Sequence, residues 1–415
     1  MDLIYTSAVL TLIAAAGNDP SYGLPGVSNA RKMRYRDAAI GSVCVSFVPD
    51  AVYRVVADSR WFTRGWTFQE GYLPRRRLYF TESGVLFICN QAQEHEGFQR
   101  SIPGSDFSLL EGTLNPRALG GRNDGSRGLN EIMQLLEQYT RRELSYENDV
   151  LNAILGVLNY HHTKNPSIGT ICGLPYQIPM AGPGIICIKW KHQSPTTRRL
   201  GYPSWSPFGW IGRVEFSDIP YQFRSSEKDA ADISRHIRDG CGDWNHRETS
   251  QYLRITVSVH HLPIVNLVQS GAERMGGILS DHPRTMLVLP VGGTKGNNGG
   301  CNFYMHIIWD VAPPDHYDST RVTCAAINDH DLAHLSMMVL QEYGTHYERI
   351  GFAVPAGFDY TSMTKSAGLD ELASTTNGIP TVCPTEDHDT SWYHSSDTKT
   401  LAWLRGTRKV TITLG

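Results

Sequence analysis

The chain has 415 residues, 40% of them hydrophobic and 19% charged. That is enough apolar material for a sizeable core, and the length suits two or three domains or one large core with extensions. Thirty-eight Lys and Arg nearly balance 41 Asp and Glu, giving a formal net charge of −3, which argues against a nucleic-acid-binding protein dominated by a basic surface. The 8 cysteines are sparse and form no C-x-x-C pair, so no disulfide framework is expected. Cys89 and Cys187 sit in apolar runs and read as reduced core thiols of an intracellular protein. The run Met1 to Ala16 lacks the basic n-region of a signal peptide and carries Asp2 instead. No other segment approaches the roughly 18 apolar residues of a membrane span. A soluble, cytoplasmic chain is expected.

In chain order, residues 1–16 read as a short helix feeding a strand. Val9 to Ala15 is apolar enough for a strand buried on both faces, and Gly17-Asn-Asp-Pro20 ends it. Gly41 to Val48 alternates as a strand, and the run to Asp58 forms a helix or a loop. Trp66 to Leu73 reads as a helix stopped by Pro74. Arg77 to Phe80 and Val85 to Cys89 form a hairpin about Glu82-Ser83-Gly84. Residues 91–128 read as loop, with Gly120 to Gly128 the richest in glycine. Two amphipathic helices follow. Leu129 to Arg142 places Ile132, Leu135, Leu136 and Tyr139 on one face, and Glu147 to His161 does the same with Val150, Leu151, Ile154, Leu155 and Leu158.

Beyond residue 165 the apolar runs shorten and alternate between Gly, Pro, Asn and Asp. Strands are expected at 184–190, 252–260, 285–291, 302–309, 335–341, 349–354 and 409–414, in a sandwich or barrel. Gly292 to Gly300 reads as a hairpin tip and Ser366 to Ser396 as a surface loop.

Several segments together resemble the fungal heterokaryon-incompatibility (HET) domain family. Asp2-Leu-Ile-Tyr-Thr-Ser-Ala-Val-Leu-Thr-Leu-Ile-Ala-Ala15 is similar to its "M..IY..A..TI.A" segment, and Tyr22-Gly-Leu-Pro-Gly-Val27 to the "GLPGV" that follows. Trp61-Phe-Thr-Arg-Gly-Trp-Thr-Phe-Gln-Glu70 resembles the "W..RGWTFQE" signature, and Leu78-Tyr-Phe-Thr81 the strand after it. Tyr139 to Gly156 resembles a two-helix segment common downstream. Pro203-Ser-Trp-Ser-Pro-Phe-Gly-Trp210 resembles a "PSWSWAGW" element with Pro207 where Trp is usual, and Thr411 to Gly415 resembles a frequent chain end. Segments like "SYVWG" and "WIDALCIDQ", which family members carry before the Tyr5 region, have no counterpart. A HET domain truncated at its N-terminus is therefore the expectation.

The resemblance implies an α/β fold: a partial TIR-like HET domain, then a helical segment, then a β-rich C-terminal region. The expected divisions are 1–100 for the HET part, 101–165 for the loop and two helices, and 166–415 for the β-rich region. The implied role is fungal non-self recognition, regulating programmed cell death through assembly with protein partners. A homo-oligomer is compatible with that role, while nucleic acid and membrane are not expected partners.

The motif residues Arg64, Gly65, Trp66, Thr67, Gln69 and Glu70 carry the candidate chemistry. HET domains resemble TIR domains, some of which cleave NAD at the nicotinamide–ribose bond with one glutamate. Glu70 could stabilise such an oxocarbenium-like transition state, with NAD as substrate rather than cofactor. The bland alternative is that Glu70 pairs with Arg64 or Arg75 and holds its helix. An inactive interaction module is the third reading. Arg64 could hold a phosphate bidentately or pack on Trp61 or Trp66. Arg75-Arg-Arg77 suits a helix C-terminus and a solvated face. Trp205 and Trp210 read as packing. Neither Cys383, His388 and His394 nor Cys241, Asp243 and His246 has the second ligand pair of a zinc site, so no metal is expected. His95 reads as part of a surface loop.

Overall fold

The computed structural model describes residues 2–31, 38–45, 52–89, 93–96, 127–177, 185–192, 196–216, 252–267, 284–291, 301–311, 321–328, 335–355 and 408–415. It has two compact units, Met1–Ile186 with Ile211–Asp218, and Cys187–Trp210 with Ile219–Gly415. Helices and strands are mixed in the chain, with the described α-helices in the first unit and a strand-rich second unit.

The first unit opens with α1 (Asp2–Ser7) and β1 (Thr11–Ala14), then the hairpin β2 (Ala38–Ile40) and β3 (Val43–Val45). Helices α2 (Val52–Ala57), α3 (Arg60–Thr63) and α4 (Thr67–Tyr72) lead into β4 (Arg76–Phe80), β5 (Val85–Cys89) and β6 (Gln93–His95). Two longer helices follow, α5 (Arg127–Tyr139) and α6 (Asn152–Lys164), then strands β7 (Ile168–Ile171), β8 (Leu174–Gln177) and β9 (Ile185–Ile186). Strand β10 (Trp190–His192) belongs to the second unit, and β11 (Val214–Phe216) returns to the first.

The main sheet of this unit runs β1-β4-β5-β6. Strand β1 pairs parallel with β4, and the other neighbours pair antiparallel. One face is closed by α2 and α3: Ile13, Tyr79, Leu86 and Ile88 pack with Val56, Trp61 and Phe62. The opposite face is less covered, and here the structure corrects one expectation. Strand β1 is buried on one face only, since Ile13 is inside while Leu12 is 57% exposed. Its apolar composition does not report how many faces are covered.

The strand expected from Gly41 does not begin there: Gly41-Ser42 is the turn of the β2–β3 hairpin, and residues 46–48 lie outside the described residues. The expected strand at 184–190 is interrupted. Residues 187–189 carry no ladder, and Trp190 N–H bonds locally to Ile188 O at 3.1 Å. Strands β7 and β8 escaped notice because their turn is Cys172-Gly173. Both residues take positive φ, 49° and 81°, as a two-residue primed turn needs, but Cys-Gly is not a usual signal for it. His95 ends a strand, β6, and is half-buried rather than lying on a surface loop. The remaining loop readings at 97–126, 292–300 and 366–396 lie outside the described residues.

Helix α5 buries Leu129, Ile132, Leu135, Leu136 and Tyr139, the expected face with one turn added. In α6 the buried stripe is Ala153, Ile154, Val157 and Leu158, and Leu151 and Leu155 are only half-buried. The shift follows from a close approach: a Cβ on Gly156 would lie 2.2 Å from Gln69 Oε1 on α4. Gly156 of α6 thus lies directly against the motif helix. Strand β11 docks on α5 through Phe216 N–H to Glu137 Oε1 at 2.7 Å and Val214 N–H to Thr140 Oγ1 at 3.1 Å.

The second unit is built on β12 (Leu253–Leu267), β13 (Arg284–Val291), β14 (Cys301–Trp309), β15 (Arg321–Asn328), β16 (Ser336–Tyr343), β17 (His346–Pro355) and β18 (Val410–Leu414). The ladder runs β13-β14-β17-β16-β15-β12, and β13 also pairs with β12, so it closes on itself. Closure abolishes sheet edges. It depends on the length of β12, whose 15 residues pair in succession with β18, β15 and β13. Alternate residues fill the interior: Leu287 and Leu289, Met305 and Ile307, Val322 and Cys324, Met337 and Val339. Strand β15 had no place in the sequence reading. Its centre, Cys324-Ala325-Ala326, has weak strand propensity, and burial on both faces makes it a strand.

Outside the barrel, residues 187–192 and 196–210 form an aromatic plug of Trp190, Trp205, Phe208 and Trp210, all nearly fully buried. Trp190 Nε1–H donates to Trp205 O at 3.1 Å and Trp210 Nε1–H to Ser204 O at 2.8 Å. Ser206 Oγ accepts from Phe208 N–H at 2.9 Å. The Arg198 guanidinium reaches Arg199 O, Tyr202 O and Gly209 O at 2.6–2.9 Å. The "PSWS..GW" pattern is thus a hydrogen-bonded packing device.

Burial pushes the Cys187 thiol up to about 12 and raises that of Cys324 further. A thiol reacts as its thiolate. Under native conditions iodoacetamide is therefore expected to spare both residues, and to modify them only after unfolding. Peptide-resolved mass spectrometry reads this directly, and native labelling of Cys324 as fast as in urea would refute it.

Candidate functional site

The Arg64–Glu70 segment is a tight turn into a short helix. Ser59 Oγ caps α3 by accepting from Phe62 N–H at 3.2 Å. The chain then turns at Arg64 and Gly65, held by Gly65 N–H to Glu143 O at 2.7 Å and Glu143 N–H to Thr63 O at 2.6 Å. A Cβ on Gly65 would meet Leu144 Cδ2 at 2.5 Å, so a larger residue there would displace the Leu144 side chain. Thr67 Oγ1 donates back to Arg64 O at 2.7 Å, closing the turn.

Each motif side chain then has its own neighbour. Trp66 Nε1–H donates to Asp149 Oδ2 at 3.2 Å. Gln69 is buried and donates to Asn152 O at 3.2 Å, tying α4 to α6. Phe68 is buried against Tyr72 and Tyr139, with ring centroids 6.2 and 5.6 Å away.

Glu70 is half-buried on the opposite side of α4. Its Oε2 accepts from Trp61 Nε1–H at 2.8 Å, and its Oε1 makes a long contact of 3.5 Å with the Tyr5 hydroxyl. Burial first, and the Glu70 charge second, hold the Tyr5 phenol above its ordinary pKa. The Trp61 ring is itself fixed edge-on to Tyr79, at 5.6 Å. Neither Arg64 nor Arg75 forms an ion pair with Glu70 within 4.0 Å among the described residues. The Arg64 side chain is exposed, and its carbonyl is the group the fold uses.

The cation beside this site is Arg142, which the sequence reading assigned no role. Its guanidinium lies between the Phe62 and Phe68 rings, 4.4 and 4.8 Å from their centroids. It donates to Arg64 O and Thr67 Oγ1, both at 3.2 Å. Loss of water lowers its pKa to about 10, against the opposing pull of Tyr79, Tyr139 and Glu70, so it stays charged at neutral pH. Its only sequence signal was its place just beyond the apolar face of α5.

The Arg75–Arg77 triplet is split. Arg75 and Arg76 are exposed, whereas Arg77 is buried and donates to Gly71 O at 2.5 Å in the last turn of α4. The carbonyl end of that helix thus receives a positive charge. Nearby, the Tyr72 hydroxyl lies 2.5 Å from His161 Nε2 and 3.3 Å from Glu131 Oε1, joining α4, α5 and α6. Among the described residues no group of His, Cys, Asp and Glu is placed to hold a metal. The Cys241 and Cys383 candidate sets lie outside those residues.

The model of the family described as heterokaryon incompatibility protein (HET) matches residues 1–70, ending on Glu70 itself. Residues 1–70 are similar to part of a HET domain. The matched segment holds α1, β1, the β2–β3 hairpin, α2, α3 and most of α4. It therefore supplies Tyr5, Trp61 and Glu70, while the HET motif is clamped from outside it by Glu143, Asp149 and Asn152. No curated protein and no solved structure matches the chain. Among the described residues, no helix is long and apolar enough to cross a membrane.

Proposed function

We propose that this chain is a cytoplasmic protein of fungal non-self recognition, promoting incompatibility-type cell death through assembly with protein partners. The observation that carries the reading is the HET match over residues 1–70. Support also comes from the way the motif is built: α4 buries Thr67, Phe68 and Gln69 and leaves Glu70 half-buried, its carboxylate held by the Trp61 N–H. Overexpression in a fungal host should be lethal. The Glu70→Ala variant should lose that lethality at unchanged protein level. Healthy growth with abundant wild-type protein would sink the reading.

The geometry of Glu70 favours a second reading, hydrolysis of the nicotinamide–ribose bond of NAD. The carboxylate is oriented by the Trp61 N–H and has no guanidinium or ammonium partner within 4.0 Å among the described residues. It is therefore free to oppose the positive charge of an oxocarbenium-like transition state. Water would add to ribose as the C–N bond breaks and nicotinamide leaves. Nicotinamide release by purified protein tests this, and equal turnover by wild type and Glu70→Ala would remove Glu70 from the mechanism.

A further inference from the structure

We propose that Arg142 is the positioning residue of Glu70: without touching the carboxylate, it sets the angle between α3 and α4 at which the Trp61 indole meets it. The proposal rests on the reading that Glu70 is the functional group of the motif.

Donor and acceptor of this contact come from different helices. Trp61 lies on α3 and Glu70 on α4, with the turn at 64–66 between them. Their hydrogen bond, Trp61 Nε1–H to Glu70 Oε2 at 2.8 Å, therefore depends on how the two helices are set. Both are short, 4 and 6 residues, and helices of that length need packing to hold them. The fit is close, since a Cβ on Gly71 would lie 3.0 Å from Trp61 Cη2. Tyr79 also packs on the indole, but from β4, so it sets the ring against the sheet and not against α4.

Arg142 joins the two helices at two levels. Its guanidinium lies between Phe62 of α3 and Phe68 of α4, 4.4 and 4.8 Å from the ring centroids. One nitrogen, Nη1, donates to Arg64 O in the turn and to Thr67 Oγ1 on α4, both at 3.2 Å. The Thr67 hydroxyl in turn donates back to the carbonyls of Trp61 and Arg64. A hydroxyl has one hydrogen and two lone pairs, so an N–H on its oxygen leaves the hydrogen for those carbonyls. Arg142 is thus a planar wedge between the helix of the donor and the helix of the acceptor.

The adjoining backbone separates this role from folding. Gly65 N–H donates to Glu143 O and Glu143 N–H to Thr63 O, bonds that owe nothing to the side chain at 142. Loss of the guanidinium leaves the turn attached and frees the angle between α3 and α4.

The test follows the proton–nitrogen resonance of the Trp61 indole N–H in the full chain, identified by its loss in Trp61→Phe. Glu70→Ala gives its position without the carboxylate. In Arg142→Met the resonance should move most of the way from wild type towards Glu70→Ala. Arg142→Lys keeps a cation that can reach both acceptors but no plane to fill the space between the rings. It should move the resonance in the same direction by less, and it decides the matter if Arg142→Met does not fold. The Trp210 indole, bonded to Ser204 O in the second unit, should stay in place throughout. Loss of stability alone would lower the unfolding midpoint and leave the folded-state Trp61 resonance as in wild type.

A Trp61 resonance unmoved in the folded variants would overturn the proposal. So would a moved resonance with Glu70-dependent activity intact, because the orientation would then not matter. Lethality and nicotinamide release are scored beside it. Where either depends on Glu70, Arg142→Met should weaken it, nicotinamide release by about tenfold or more and through kcat rather than KM. If neither depends on Glu70, the reading of Glu70 falls and the resonance alone decides the positioning.

Discussion

Replacing Arg349 with methionine is expected to destabilise the second unit by about 3–5 kcal/mol, the cost of leaving one member of a buried ion pair uncompensated. Arg349 and Asp310 are both fully buried. The guanidinium donates through Nε to Asp310 Oδ2 at 2.7 Å and through Nη2 to Oδ1 at 3.3 Å, and Nη2 also reaches Trp190 O at 2.7 Å. Its plane lies over the Trp190 ring, 3.4 Å from the centroid. Burial pulls the guanidinium pKa down, and Asp310 opposes that pull.

Arg349→Met removes the charge and keeps much of the volume, so the stranded Asp310 carboxylate dominates the loss. The double variant Arg349→Met/Asp310→Leu should recover most of the stability, because apolar groups of similar size often replace a buried pair without penalty. Urea unfolding followed by tryptophan fluorescence measures both. A single-variant loss below about 1 kcal/mol would contradict the ion-pair account.

Trp210→Ala should cost a similar amount, about 3–5 kcal/mol for an emptied aromatic site. Two losses combine. The ring is 1% exposed in the plug, and its Nε1–H is the donor to Ser204 O at 2.8 Å. Arg198 also loses the ring it covers, 5.2 Å from the centroid. Arg198 would keep its bonds to Arg199, Tyr202 and Gly209, so the loop is held at one end and opened at the other. Calorimetry should show the second unit melting about 6–20 °C lower, at roughly 2–4 °C per kcal/mol for a unit of this size. Leu200→Ala, at a residue 90% exposed in the same segment, should shift stability by about 0.5 kcal/mol or less. Equal shifts from the two would refute the packing role assigned to Trp210.

Much of the architecture was legible in the residues. The 3.6-residue periodicity located α5 and α6, and Glu82-Ser83-Gly84 marked the β4–β5 hairpin. The alternating runs of the second half reported strands, and the HET resemblance covered the segment that the family model matches. These features are local: each depends on a period, a turn residue or a short motif.

The remainder came from contacts distant in sequence. Nothing near Arg321–Asn328 marks it as a strand; β12 and β16 make it one. The apolar run of β1 declared burial but not that only one face is covered. Glu70 sits near arginines in sequence, yet Trp61 and Tyr5 hold its carboxylate, because the Arg64 turn sends the arginine side chain to solvent and folds the indole back over α4. Arg142 reaches the motif only because α5 ends beside α3 and α4. Local sequence determined the elements and the motif by steric and hydrophobic patterning. The tertiary structure decided the partners, since a charge takes its partner from whatever the packing brings within a few ångströms.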